Sequence, residues 1–575
     1  MTSYFSFRWH QGRRRASRRV HEIRLWLSNY INRHIYGAWS KLGLMRWQFA
    51  AWIIIAIIGY AGVWNGFARQ NQFFQIEQPT SGGVYREGLI GRVRLVNPLF
   101  VDNTATADVT ELVYSKLIHT KDGETITGDL AEAWSVSTDK RTITLKIRPN
   151  IHWHDGVDFT AQDVKFTFKL IQNPDTRSPL ASNWDKVVVN ALDDATVQFV
   201  LPASYSGFFT ALSQVGIVPE HALRDINPNL LRLDEFNQRP IGTGPFILDR
   251  LDITSDQIKL RKYDAYHFGE PKLDRLEFTQ FDDSRALVDS YAKRKIDGLA
   301  RVEAAQSAQV GEFENLTLKT YRLPSYVGAF FNTRKPELSD KAIRTALAQA
   351  IDRPLLVAEE LSGEASVVHY PIPNGYSGFN NAARRISYNA DVAHTVLEGK
   401  FKDPLRLVTV NAAEFPAVAK RLADAWRAAG VPIEVVSVDS YSLQQNYIRP
   451  RQYDILLYGQ DIGADSDVFG FWHSSQADDP GLNLSTYSSK AADQLLEQAR
   501  FGKDPAFREN KYKEFVRTWA DDVPAVLLYS PYYLYAYPDD LRGVTNESLI
   551  TPSDRFKDIQ NWSLKTQIVT KKKAR

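Results

Sequence analysis

Polar and apolar residues alternate strictly over residues 142–148. Ile143, Leu145 and Ile147 share one face and Thr142, Thr144, Lys146 and Arg148 the other, which predicts a half-buried strand. The period then lengthens to that of a helix: Thr160 stands as N-cap, Asp163 follows three residues later, and Val164, Phe168 and Ile171 recur at i, i+4 and i+7 before Asn173-Pro174 stops the run. Short strands and turns dominate up to about residue 240. The second half reads differently. Residues 405–410 form a buried-strand run, residues 413–429 a helix with Val418, Leu422, Ala425, Trp426 and Ala429 on one face, Gly430 its stop, and residues 431–438 another strand, a βαβ unit. A further helix opens after Ser339-Asp340 with Ile343, Leu347, Ala350 and Ile351 inward, and residues 453–459 and 525–530 are buried strands. No internal repeat or coiled-coil heptad is visible, so the pattern predicts an α/β fold with a β-richer first half.

One stretch obeys neither period. Residues 47–68 carry no charge, and at about 1.5 Å per residue such a helix spans roughly 30 Å, enough to cross a bilayer. Trp47, Trp52, Tyr60 and Trp64 lie toward its ends and Arg46 and Arg69 bracket it. The Arg-rich flank before it predicts an N-terminus in the cytoplasm and everything after Arg69 outside the cell membrane. Gly66-Phe67-Ala68 allows a cleaved signal peptide as the rival reading, against which stands the length of the charged leader. Residues 75–91, with Pro79, Ser81, Gly82, Gly83 and Gly88, lack apolar periodicity and read as a tether, so the folded body is expected to begin near Arg92.

Composition sharpens this division. A chain of 575 residues is long enough for two or three domains. The absence of cysteine removes disulfides, thiolate nucleophiles, Cys-ligated zinc and thioether lipid anchors. The formal charge of +3 conceals an asymmetry. Residues 1–46 hold the single acid Glu22 among many arginines, residues 571–575 add a basic tail, and acids outnumber bases between them. An acidic body argues against nucleic-acid binding.

Enzymatic signatures are missing. The chain has no G-x-S-x-G elbow, H-E-x-x-H, P-loop or G-x-G-x-x-G, and Gly375-Tyr-Ser-Gly378 has the wrong spacing for a nucleophile elbow. His152-Trp-His154-Asp155 places two imidazoles on one side of a strand, but no third ligand is evident, so neither a metal nor any other cofactor is expected. The acidic pairs Asp193-Asp194, Asp282-Asp283, Asp478-Asp479 and Asp521-Asp522 have diverging side chains and read as solvated turns. Aromatic residues make up 12% of the chain, and Tyr529, Tyr532, Tyr533, Tyr535 and Tyr537, or Phe469, Phe471 and Trp472, suit a cleft floor as well as a core.

The order of several segments resembles a known family. The runs Leu130-Ala-Glu-Ala-Trp-Ser, Asp139-Lys-Arg-Thr-Ile-Thr-Leu-Lys-Ile-Arg, His152-Trp-His-Asp-Gly156 and Phe159-Thr-Ala-Gln-Asp-Val164 are similar to the signature of the peptide/nickel-type extracytoplasmic solute-binding proteins of ABC importers, family 5. Asn97-Pro98-Leu99, Ile241-Gly-Thr-Gly-Pro-Phe246, Phe331-Asn-Thr333, Asp340-Lys-Ala-Ile-Arg344, Asp454-Ile-Leu-Leu-Tyr-Gly-Gln-Asp461 and Pro524-Ala-Val-Leu-Leu-Tyr529 follow in the family's order. The resemblance covers roughly residues 85–560.

It implies a two-lobed clamshell of periplasmic-binding-protein type II with an inserted α+β subdomain, and the uncharged run over residues 47–68 places one transmembrane helix before it. The residues themselves give a basic cytoplasmic leader (1–46), a membrane helix (47–68) and a tether (69–91), and the resemblance implies lobe I (92–325) with an insertion at about 120–236. Lobe II (326–525), a return to lobe I (526–565) and a basic tail (566–575) follow. The implied function is capture of short peptides by lobe closure and delivery to an ABC permease and its ATPase, by a monomer that is not an enzyme. A carboxylate pairs with the ligand ammonium in peptide-binding relatives, and Asp461 matches that position with Tyr458 where the family often has Trp. The family's following Asp-Pro is missing, so Asp465 or Asp467 is the partner if the loop has shifted. Tyr458, Gly459, Gln460, Asn332 and Trp472 complete the implied ligand site. A nickel chelate, an oligosaccharide or a sensor role are the alternatives within this architecture, and a carboxylate hydrolase lies outside it.

Overall fold

Val84–Ile90, read from sequence as part of the tether, is a strand inside the main sheet. It runs parallel to Arg275–Phe281 in register from Val84↔Arg275 to Ile90↔Phe281, and also pairs with Gly298–Val302. The glycine that suggested a flexible linker is there for close packing: a Cβ on Gly88 would stand 2.1 Å from Leu287 Cδ1. Tyr85, Glu87 and Leu89 are buried, so the inward face carries an acid where a core alternation would show an apolar residue.

The structure is a computed structural model that describes residues 22–36, 46–120, 125–203, 207–373, 379–381, 383–463, 465, 467–502, 504–545 and 547–570. The start of the basic leader, the segment with Gly375-Tyr-Ser-Gly378 and the 571–575 tail lie outside these. The chain divides into two units, residues 1–78 with 566–575, and residues 79–565. In the first, the apolar run falls within the helix Arg46–Phe74, whose side chains are described, and exposed, over residues 49–64. Among the described residues no helix is long and apolar enough to cross a membrane.

The second unit is built on a 12-stranded mixed sheet. Its βαβ unit is Leu405–Val410, the helix Phe415–Ala428 and Ile433–Val438, with the strands parallel from Leu405↔Ile433 to Val410↔Val438. Val418, Leu422 and Trp426 are buried, and the Trp426 indole donates to Leu347 O at 2.9 Å. The helix starts two residues later than its apolar spacing predicts. Ala413 is left-handed at φ 46°, which a right-handed helix cannot include, and Pro416 occupies the first turn. Gly430 at φ 90° closes the other end.

One strand belongs to both halves of this sheet. Ala525–Pro538 pairs antiparallel with Ser325–Phe331 through Val327↔Tyr529, and beyond Pro531 with Leu316–Arg322 from Tyr532 to Pro538. Its first part lies in the cores that contain Leu407, Trp426, Phe515 and Trp519, its second in the cores that contain Tyr85, Leu276, Leu287 and Trp562. Two lobes follow, joined where the chain passes Leu323 and Pro531. The passages are adjacent: Ser530 Oγ donates to Leu323 O at 3.4 Å.

A separate four-stranded antiparallel sheet, in the order Ala131–Val136, Thr142–Ile147, Thr196–Val200, Val188–Asp193, packs against the helix Ala161–Gln172. Thr160 and Asp163 form the capping box that the spacing predicts. His152 and His154 turn to different partners here. His152 pairs with Asp158 at 2.8 Å, while His154 Nδ1 accepts from the Gly242 amide at 3.2 Å and its Nε2 meets Gly244 O at 3.0 Å. The HWHDG and IGTGP segments are thereby held together.

Candidate functional site

Ile455, Leu456 and Leu457 are buried in the lobe that contains Trp426 and Trp472, and they carry the strand Ile455–Asp461 outward until its last residues emerge between the lobes. Antiparallel pairing with Ser325–Phe331, Val327↔Gly459 and Ser325↔Asp461, sets Asp461 beside the interlobe passage. Two cavities meet there. One, of about 450 Å³, is lined by Tyr326, Glu414, Phe415, Gln444, Tyr458 and Gly459 among others. The second, of about 390 Å³, is lined by Thr104, Thr210, Gln214, Tyr532, Tyr533 and Thr551 among others. Arg301, Ser325, Asp461 and Pro531 border both.

Asp461 is open to solvent through this cleft, yet protein atoms surround it on most sides. That enclosure raises its pKa above the ordinary aspartate value, with the Arg301 charge opposing. No donor among the described residues pairs with its carboxylate. Water reaches the group but crowding strips part of its hydration, so the ionised form awaits a cation. Arg301 comes from the other lobe, as the single charged residue of the otherwise buried strand Gly298–Val302, and it too has no ion pair among the described residues.

The other expected site residues divide. Tyr458 lines the larger cavity, and its hydroxyl accepts from Gln444 Nε2 at 3.1 Å. Burial, and secondarily Asp461, raise the Tyr458 pKa. Gln460 borders the cavity while its side-chain amide turns inward to Leu482 O at 2.9 Å. Asn332 and Trp472 line neither cavity, contrary to expectation. Asn332 is buried, donates to Arg451 O and Tyr453 O, and accepts from Thr486, so its hydrogen-bonding capacity is spent inside the lobe. Trp472 lies behind the wall, its indole donating to the Tyr326 hydroxyl at 3.3 Å.

Asp465 and Asp467, the alternatives to Asp461, face Arg508 at 3.6 Å and Arg500 at 3.5 Å within their own lobe, and neither borders the cavities. Sequence reasoning missed Arg301, Glu414 and Gln444. Only Arg301 left a local signal, a lone charge inside the apolar run Gly-Leu-Ala-Arg-Val.

Residues 125–481 match the family described as bacterial extracellular solute-binding proteins, family 5 middle, and the chain belongs to that family. Its work is to bind a substrate for an ABC importer outside the cytoplasm, and it is not an enzyme. Among curated relatives, the oligopeptide-binding protein AppA of Bacillus subtilis is 26% identical over 511 residues, covering 85% of this chain and 92% of its own. The dipeptide-binding protein of Escherichia coli is 25% identical over 463 residues, covering 75% of this chain and 86% of its own. The solved structure of B. subtilis AppA in complex with a nonapeptide superposes with a TM-score of 0.74 at 25% identity, over 85% of this chain and all of that one.

Proposed function

We propose that the protein captures short peptides in the cleft between its lobes and delivers them to an ABC permease. The observation that carries this is the Asp461 carboxylate, enclosed by the cleft and without a donor among the described residues. A peptide's free ammonium supplies the missing partner, while the Ile455–Asp461 strand, paired with Leu405–Val410 only at Ile455 and Leu456, leaves room on that side for the backbone hydrogen bonds an extended peptide makes. The relatives' binding of oligopeptides and dipeptides supports the same ligand class. Closure about the two adjacent passages at Leu323 and Pro531 buries the ligand.

Calorimetry with a free-amine peptide and its N-acetylated form tests the reading. Asp461→Ala should weaken the free-amine complex by more than about tenfold and change the acetylated complex little, with the melting temperature of the empty protein unaltered. Equal losses for both peptides would sink the ammonium-pairing role.

We further propose that the helix Arg46–Phe74 anchors the protein, with the leader inside and residues 79–565 outside. Its support is the uncharged run over residues 47–68, flanked by arginines and bordered by aromatic rings. The full chain should remain with membranes through an alkaline carbonate wash, and a chain beginning at residue 79 should not. Release of the full chain by the wash rules the anchor out.

A further inference from the structure

The larger cavity carries a charge that its walls leave uncancelled. Its charged lining residues are Arg301, Asp461 and Glu414, two acids against one base. Glu414 stands half-buried just before the helix Phe415–Ala428, and its Oε1 accepts from the Tyr529 hydroxyl at 3.4 Å. It has no ion pair among the described residues. The Tyr529 phenol is pushed well above its usual range, first by burial and then by the neighbouring Glu414 charge.

The two cavities differ in this respect. The smaller one has no charged residue beyond Arg301 and Asp461, which it shares. With a ligand ammonium at Asp461, the smaller cavity keeps Arg301 alone, while the larger keeps Arg301 and Glu414, which no ion pair among the described residues joins. Val327, Val410, Phe415 and Leu443 make up much of the remaining wall of the larger cavity. Aliphatic and aromatic walls ending at a carboxylate fit a long methylene stem tipped by a cation, the form of a lysine or arginine side chain.

We propose that Glu414 determines specificity, selecting peptides whose residue beside the Asp461-bound ammonium carries a basic side chain. This rests on the peptide reading above and adds to it a second, cationic contact in the larger cavity.

The test compares the tripeptides Lys-Ala-Ala and norleucyl-Ala-Ala, which share a side-chain stem and differ in its charge. Calorimetry is done on the full chain in detergent and on its Glu414→Gln and Tyr529→Phe variants. The wild type should bind the lysyl peptide about tenfold more tightly, Glu414→Gln should abolish that advantage, and the norleucyl affinity should stay within about twofold. Tyr529→Phe keeps the carboxylate and should keep the preference, which separates charge from the hydrogen bond. Equal wild-type affinities, or a lysyl advantage that survives Glu414→Gln, overturn the proposal and leave the peptide reading standing. Failure of both peptides to bind overturns both.

Discussion

Arg555 donates from Nη2 to Glu87 Oε1 at 2.7 Å, and both side chains are wholly buried. Nη1 of the same guanidinium reaches Asp108 Oδ1 at 2.8 Å, and the hydroxyls of Tyr85 and Tyr535 donate to Glu87 Oε2 at 2.9 and 2.8 Å. The Val84–Ile90 strand, the helix Thr104–Val113, the shared strand Ala525–Pro538 and the turn Pro552–Phe556 are thus tied at one point. Removing one member of such a pair strands a buried charge, whereas the pair itself adds little beyond what apolar packing would give.

Arg555→Met should therefore lower unfolding stability by about 3–5 kcal/mol in urea titrations. Adding Glu87→Gln and Asp108→Asn to it should restore a large part, because no unpaired charge then remains. A single variant as stable as the wild type would show that water or relaxation compensates the stranded acids.

Gly88 makes a second stability prediction. The Cβ of Gly88→Ala has no room beside Leu287 and Ile296, whose terminal methyls stand 2.1 and 2.8 Å from its position. Expected destabilisation is about 1–3 kcal/mol, and Leu287→Ala should relieve part of that overpacking in the double variant. An unchanged midpoint for Gly88→Ala would mean that the 284–292 helix shifts freely.

These two positions also show what the sequence conveyed. Alternation located Thr142–Ile147, and helical spacing located Ala161–Gln172 and the Phe415–Ala428 helix, because in each most of the buried face is apolar. Val84–Ile90 escaped because its inward positions include Glu87, whose partner Arg555 lies far along the chain, and because Gly88 looks the same as a linker glycine until the helix above it is seen. The family motif gave Asp461, Tyr458 and Gly459 as cleft residues. It also gave Asn332 and Trp472, which stabilise the lobe from behind the cavity wall. Glu414 and Arg301 approach the cleft from different lobes, a relationship that no local period encodes.

Binding should depend on pH through Asp461. Crowding raises its pKa in the empty protein, and a bound ammonium would favour the ionised form and lower it again. Peptide affinity is therefore full above the raised pKa and falls as the pH drops through it, beginning at a higher pH than an ordinary aspartate would set. Calorimetry across the acidic range should show this fall in the wild type and a flatter profile in Asp461→Asn. Parallel profiles would assign the titration to another group.

His154 should contribute to stability over a different window. Burial lowers its pKa from 6.5 to about 4, and the neutral ring accepts the Gly242 amide. The unfolded chain binds the proton first, so the contribution is present above about 6.5 and is lost as the pH falls toward about 4. The loss expected is about 3 kcal/mol. His369 is also lowered to about 4, so the informative comparison is the wild type against His154→Gln, which retains His369. The variant should lose less stability across the window, and an unchanged slope would remove His154 from the account.

The strand Ala525–Pro538 has a bearing on how the protein is made. Both halves of the sheet are built around it, and Arg555 and Trp562 close the first core from still further along the chain. A ribosome delivers these residues after the strands and the acid they pair with. Until they emerge, Gly298–Val302, Leu316–Arg322, Ser325–Phe331 and Ala365–Val367 lack the strand they share, so the sheets of both lobes are completed by the same segment. The late position of one strand thereby makes completion of the two lobes a single event in synthesis.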